Sequence, residues 1–377
     1  MRSDLIEKLK ACRGTLFGIR TPDEAAERRN PDAEDEDGWQ ARFGSPFAAD
    51  ANKILCSKAI RRLSGKTQVV VLSRNRHTRD RLSHSFEVAN IATTAARILG
   101  LNVDLCQAAS LGHDIGHTPF GHLGETILTE MTGKKFRHEI FSVVIAQRIE
   151  RKGEGLNLTH QTLSAFLKHS RGGGQLNVND NMSAEESLVM YADKIGYIFA
   201  DFNDLFMRQA MGNHSLRLSD FPRLGSEMGW FGHSRRERVF TCLAHLCLES
   251  VEKGRVSFTD SEAARRFAAL KDLMYQVYPR VNPTHLDPLM KIVYNVLGDI
   301  EPSVHPAIVF ALMNDMDVKW LVKKVVGGES ITPDDLSQLS VGDILPDLRG
   351  QNIDITDADL GWGAKAKLKT PAESASR

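Results

Sequence analysis

An all-α fold is what this sequence predicts, on three observations. Apolar residues recur at helical spacing over 50–63, through Ile54, Leu55, Ala59, Ile60 and Leu63, and similarly over 84–99, 103–113, 137–149, 160–168 and 184–205. Two capping-box signatures mark helix starts: Ser183-Ala184-Glu185-Glu186 opens the last of these segments, and Thr259-Asp260-Ser261-Glu262 opens another through about Tyr278. Alternating strand patterns are scarce. Gln68–Leu72 is the one convincing short candidate, so at most a small β-hairpin near 66–75 interrupts the helices.

In chain order, residues 1–43 read as a separate N-terminal segment. Its stretch 21–43 is acidic and nearly without apolar residues, which predicts a flexible, solvated loop. The helical body follows over 44–330, interrupted at Arg171-Gly172-Gly173-Gly174-Gln175. Adjacent glycines can cradle phosphate, but no lysine and Ser/Thr pair follows as a P-loop requires, so this is read as a mobile connection. Residues 331–377 form a C-terminal extension, ending after about 363 in a tail expected to be disordered.

Composition narrows the function classes. At 377 residues, 42% hydrophobic and 25% charged, the chain suits a globular protein with a sizeable core. Lys plus Arg and Asp plus Glu both number 48, so no global charge favours nucleic acid or a membrane. No run of eighteen apolar residues occurs, and Met1-Arg2-Ser3-Asp4-Leu5 does not open a secretory signal; a cytoplasmic protein without a membrane partner is expected. The five cysteines show no CxxC spacing, which suits reduced thiols.

The chemistry concentrates in the spaced set His84, His113-Asp114 and Asp193. Two imidazoles and two carboxylates from three segments suit Mn²⁺, Fe²⁺, Co²⁺ or Zn²⁺, leaving coordination open for water and a phosphate oxygen. Adjacent helical residues point about 100° apart. His113 and Asp114 can therefore share an ion only at a helix end, where Gly112, Gly116 and Pro119 supply the irregularity. His117 stays near the same face if a further turn forms, and His122 and Glu125, three apart, can touch on a new helix. From spacing alone that last pair reads as a helix-surface contact. Asp193, Tyr197 and Asp201 recur every four residues, with Lys194 flanking the stripe, which on its own reads as a solvated helix face. Arg74 to Arg81 is the densest local positive charge; its outer arginines read as surface, with single-stranded nucleic acid as the alternative.

The pattern H…HD…D resembles the HD superfamily of metal-dependent phosphohydrolases. The longer string His113–Glu125, HDIGHTPFGHLGE, resembles its deoxynucleoside triphosphate triphosphohydrolases, of which dGTPases are the bacterial representatives. Also similar to that branch are Ser45-Pro46-Phe47 with Asp50, Arg61-Arg62-Leu63, Lys66-Thr67-Gln68-Val69 and Arg81–Val88. Phe136–Glu139, Gly155–Thr159 and Ala192–Tyr197 continue the match, which runs in order from about 45 to about 202.

The resemblance implies an HD-domain helical bundle that hydrolyses a dNTP, dGTP by default, to deoxynucleoside and triphosphate. It implies metal ligation by His84, His113, Asp114 and Asp193, with Mg²⁺ as a further candidate there and with the triphosphate. It implies that His122 protonates the departing 5′-oxygen, that Glu125 orients it, and that His117 belongs to the catalytic set. Arg81, His138, Lys194 and Tyr197 match phosphate-side positions; Gln68 and Asp201 match contacts to the sugar 3′-hydroxyl. A homo-oligomer and a dNTP activator are implied too. Other HD phosphohydrolases (5′-nucleotidases, phosphodiesterases, alarmone hydrolases) share H…HD…D but lack the longer strings, and a non-catalytic HD protein would be expected to have lost a ligand. One departure stands out. The family's late D-Y-[IV]-x-G-M-T-D-x-Y-A segment is reduced to the stretch Ala307–Met316, without the Asp-Tyr and Gly-Met-Thr parts.

Overall fold

The computed structural model describes residues 2–35, 44–69, 77–170, 176, 181–207, 216–281 and 286–362. Its helices are α1 (Arg2–Ala11), α2 (Asp32–Asp35), α3 (Pro46–Cys56), α4 (Lys58–Arg62), α5 (Arg81–Leu99), α6 (Val103–Gly112), α7 (His122–Thr132), α8 (His138–Val144) and α9 (His160–Lys168). They continue as α10 (Ala184–Phe202), α11 (Pro222–Phe231), α12 (Arg235–Lys253), α13 (Glu262–Val277), α14 (Asp287–Ile300), α15 (Pro306–Leu312), α16 (Asp315–Val326), α17 (Pro333–Ser337) and α18 (Leu345–Leu348). No strand forms among the described residues. There are two isolated antiparallel bridges, Arg28–Thr159 and Thr67–Asp80, and residues 70–75 of the expected hairpin lie outside the described residues. The fold is all-α, as the sequence predicts.

Local chemistry explains where helices stop. The single helix expected over 50–63 is split at Ser57, whose hydroxyl donates to the Ile54 carbonyl at 2.7 Å and accepts the Ile60 N–H at 3.2 Å. One side chain thus closes α3 and caps α4. The start expected at Thr259 is displaced to Ser261, which caps α13 through the Ala264 N–H. The Glu249 carboxylate accepts the N–H groups of Thr259, Asp260 and Ser261 and so holds Thr259 outside the helix. Ser183 and Glu186 form the expected reciprocal box at the start of α10.

Helices α5, α6 and α10 pack together at the centre, with α3 against α6. Two apolar cores flank them. One joins Ile54, Leu111, Ile127, Phe141 and Phe166 to Phe310, Leu321, Leu336, Ile344 and Ile355, so residues 331–355 share a core with the body. The other surrounds α10 with Val88, Phe231, Leu246 and Phe267. The α10 stripe Asp193, Tyr197, Asp201 is buried with the rest of that helix, not solvated.

Part of the expected solvated loop is docked. Thr21 donates its hydroxyl to Glu185 at 2.6 Å, and the buried Arg28 pairs with Asp50 at 2.7 Å while donating to the Pro46 carbonyl at 2.9 Å. Residues 36–43 lie outside the described residues, as do the glycine connection 171–175 and the tail from 363. Among the described residues, no helix is long and apolar enough to cross a membrane.

Candidate active site

Helix ends deliver the polar cluster. Asp80 and Ser83 cap each other reciprocally at the start of α5, and the first turns of α5 carry Arg81 and His84 inward. Helix α6 stops at Gly112, so His113 and Asp114 occupy the turn beyond it, the irregular helix end the pair requires. Gly116 permits the next turn to touch α8: a Cβ there would stand 2.2 Å from the Ser142 nitrogen and 2.3 Å from the His138 carbonyl oxygen. Phe120 and Gly121 then take positive φ values of 57° and 59° before α7 begins at His122.

The four expected metal ligands meet. His84 Nε2 lies 3.0 Å from Asp193 Oδ1, and His113 Nε2 lies 3.4 Å from Asp114 Oδ1 and 3.7 Å from Asp193 Oδ1. His113 Nδ1 donates to the Ser110 carbonyl at 2.7 Å, and a carbonyl only accepts, so the proton is on Nδ1 and the Nε2 lone pair faces two carboxylates. That buried Nε2 has no hydrogen-bond partner. A lone pair aimed at two anions is repulsive until a cation sits between them, so the donor set fits a divalent ion. Burial lowers the His113 pKa beyond what the carboxylates restore. Burial would raise Asp114 and Asp193, but their neighbours outweigh it: His113, His117, Arg81 and His138 for Asp114, and Lys194, His84 and His113 for Asp193. Both acids end well below the ordinary aspartate range.

Beside the cage opens a cavity of about 330 Å³, within the size of ligand pockets, lined by Gln68, Arg81, Asp114, His117, His122, His138, Lys194, Tyr197 and Asp201. The expected substrate-side and catalytic residues therefore gather at one place, with Glu125 just behind. Their pairings differ in detail from the sequence expectation. Glu125 sits nearer His138 Nδ1 (2.7 Å) and His117 Nδ1 (3.1 Å) than His122 Nδ1 (3.4 Å), so it serves three imidazoles rather than one. Burial lowers His138, but Glu125, Glu139 and Asp114 outweigh it and raise its pKa; His117 is pushed well down by burial, then Arg81 and His138. His122 is 72% exposed at the rim. Arg81 donates through Nη1 to Asp114 Oδ2 at 2.7 Å and through Nη2 to the Gln68 carbonyl at 3.3 Å, and lines the cavity.

Sequence reasoning missed several lining groups. His169, at the end of α9, brings Nε2 within 3.7 Å of Asp114 Oδ1 and 3.2 Å of His138 Nε2. No motif spacing marks it; only the packing of α9 on α6 and α8 carries it there. Tyr275 and Tyr278 form an aromatic wall, with Tyr278 Oη donating to Asp201 at 2.9 Å. Arg79, read as surface, is buried and pairs with Asp201, Glu87 and Asp204; Arg74 and Arg76 lie outside the described residues. The late segment that seemed most eroded keeps a working residue. Asp315 Oδ1 accepts the Phe120 N–H at 2.8 Å, and Oδ2 accepts the Thr67 N–H at 3.2 Å and the Thr67 hydroxyl. The buried Lys66 ammonium donates to the His117 and Ala311 carbonyls. Helices α15 and α16 thereby hold the turn that presents His117 and His122.

The H…HD…D cage is built on the first turn of α5, the end of α6 and the middle of α10, and the family model described as the HD domain matches residues 81–197, so the chain carries an HD domain there. Over its central region the chain is similar to proteins described as deoxyguanosinetriphosphate triphosphohydrolase-like. It is 36% identical to the one from Clostridium tetani over 238 residues, 62% of this chain and 66% of the relative. It is 39% identical to that of Caldanaerobacter subterraneus over 213 residues, 56% of this chain and 59% of the relative. To that of Desulfatibacillum aliphaticivorans it is 46% identical over 162 residues, 42% and 46% of the two chains. The matched region thus spans from under half to just under two thirds of these relatives' length.

Proposed function

We propose that this chain hydrolyses deoxynucleoside triphosphates, dGTP first among them, to deoxynucleoside and inorganic triphosphate. The observation that carries the reading is the adjacency of a two-histidine, two-aspartate cage to a cavity whose rim presents His122 over Glu125. A divalent ion held by His84, His113, Asp114 and Asp193 supplies Lewis acidity at a phosphoryl oxygen. Lys194 and Arg81 offset the triphosphate charge. Water attacks the α-phosphorus, the bond from phosphorus to the 5′-oxygen breaks, and His122 gives its proton to that oxygen. Tyr278 and Arg79 hold Asp201 in place for the sugar 3′-hydroxyl. A tight fit of Gln68 and Asp201 around the sugar would disfavour a 2′-hydroxyl.

The test is incubation of the full chain with Mn²⁺ or Mg²⁺ and each dNTP and NTP, alone and mixed, with products resolved by chromatography and ³¹P NMR. Deoxynucleoside with intact triphosphate is expected, absent in Asp114→Ala and reduced about 10²- to 10⁴-fold in His122→Ala. Pyrophosphate or single phosphates would instead assign another HD hydrolase reaction. Activity seen only with mixed dNTPs would support a nucleotide activator, and sizing with and without nucleotide tests for a homo-oligomer.

A further inference from the structure

A helix that stops inside a protein leaves backbone groups to be satisfied, and α6 stops beside the cage. Had it run on past Gly112, the Gly116 N–H would bond the Gly112 carbonyl and the His117 N–H the His113 carbonyl. Instead the Ile115 N–H takes the Gly112 carbonyl at 3.3 Å, and the His117 N–H takes that of Asp114 at 3.0 Å. This tighter turn frees one donor, the Gly116 N–H, and one acceptor, the His113 carbonyl, in a buried segment. Buried backbone groups of that kind need partners.

One side chain takes both. The fully buried Ser142 hydroxyl donates to the His113 carbonyl at 2.8 Å and accepts the Gly116 N–H at 2.9 Å. The roles are forced, because a carbonyl only accepts and an N–H only donates. Ser142 stands on α8 four residues after His138 and so on the same face of that helix. Gly116 lacks the Cβ that would hold α8 away from the turn. The flanks are braced separately, by His113 Nδ1 on the Ser110 carbonyl and by the Lys66 ammonium on the His117 carbonyl. Ser142 spans the break itself, gripping the chain on either side of Asp114.

We propose that Ser142 is a positioning residue for the cage: its two hydrogen bonds fix the backbone bend that lets His113 and Asp114 aim at one ion. Without them the turn is free to relax toward a continued helix, in which adjacent side chains diverge by about 100° and the pair no longer converges. Groups that orient metal ligands in this way typically set about 10- to 100-fold of metal affinity. The inference rests on the reading of the cage as a divalent-ion site, and its readout is ion affinity rather than turnover.

The test titrates the full-length chain with Mn²⁺ alone, follows free ion by EPR at a temperature where each variant is folded, and records the low-temperature spectrum of the bound ion. Ser142→Ala should weaken Mn²⁺ binding about 10- to 100-fold and alter the bound-ion spectrum. Ser142→Cys keeps a side chain of similar size with a weak donor and acceptor, so its affinity should fall between alanine and wild type. The cysteine variant carries the test should the alanine variant not fold. Ser85→Ala, beside His84 and equally buried, removes a hydroxyl with no hydrogen-bond partner among the described residues and should bind Mn²⁺ as the wild type does. A lower melting temperature with unchanged affinity and spectrum in the Ser142 variants would overturn the proposal and leave the hydroxyl a structural group. An equal loss of affinity in Ser85→Ala would overturn it too. The expected affinities without turnover of any nucleotide would sink the proposed reaction and leave the role of Ser142 standing. Turnover of dNTPs with Ser142→Ala binding Mn²⁺ as tightly as the wild type would do the reverse.

Discussion

Asp315 makes a sharp test of how the distant C-terminal helices hold the site. Its carboxylate is fully buried and accepts the backbone N–H of Phe120, the backbone N–H of Thr67 and the Thr67 hydroxyl. Asp315→Ala orphans two buried backbone donors, each costing about 1–3 kcal/mol, while the hydroxyl can turn to another acceptor. Burial lifts the Asp315 pKa above its ordinary value despite these bonds, so desolvation already cancels part of the carboxylate's benefit. The expectation is therefore the lower half of the sum, about 2–4 kcal/mol. Asp315→Asn keeps one acceptor for Phe120 but turns an amide N–H toward the Thr67 N–H. It should cost about half as much as alanine. Urea unfolding followed by circular dichroism reads both. Because Phe120 immediately precedes Gly121 and His122, the alanine variant should also lose turnover beyond what its folded fraction explains, while metal binding at the His84, His113, Asp114 and Asp193 cage stays unchanged. An alanine variant within about 0.5 kcal/mol of wild type, or an asparagine variant equal to it, would refute the reasoning.

Other expectations are independent of that node. Gly116→Ala forces a Cβ onto the Ser142 nitrogen and His138 oxygen, both backbone, and should destabilise by about 3 kcal/mol in the same assay. Arg28→Met leaves the buried Asp50 with Thr159 and Thr162 as donors but no counter-charge, and should cost about 3 kcal/mol and expose the N-terminal segment to limited proteolysis. Glu249 is held below its ordinary value by the N–H and hydroxyl donors of Ser261, Thr259 and Asp260, which outweigh burial. A depressed carboxylate contributes stability above its unfolded pKa, about 4.3, and loses it as pH falls through the folded value. The melting-temperature deficit of Glu249→Gln should therefore be largest near neutrality and close progressively below about pH 4.3; a deficit that widens on acidification would contradict it. Mn²⁺ at a hundredfold its dissociation constant should stabilise the wild type by about 2.7 kcal/mol, reversibly with chelator. His122→Ala should keep that shift and Asp114→Ala should lose it.

The helical class and most of the site were legible in the sequence because both rest on short-range pattern. The apolar stripe of α5 and the reciprocal Ser183–Glu186 box are set by neighbours three and four residues apart. The His113-Asp114 pair flanked by glycines announces a helix end in the same way. What the sequence hid depends on contacts between distant segments. Ser57 looks like an ordinary position within a helical stripe until its hydroxyl bonds in both directions, and Thr259 looks like a cap until Glu249, on the preceding helix, claims its N–H. Arg79 resembles a solvated arginine because no local pattern reveals that Asp201 and Asp204 stand across from it. His169 carries no motif and joins Asp114 only through the packing of α9. Asp315 sits in a segment that resemblance made look eroded, yet tertiary packing sets it against Phe120. The sequence alone determined the helical class, most of the helices that carry the site, and which side chains could hold a metal. Only the tertiary structure decided which buried charges meet, because a buried polar group is satisfied by whatever partner the fold brings within hydrogen-bond reach, at any distance along the chain.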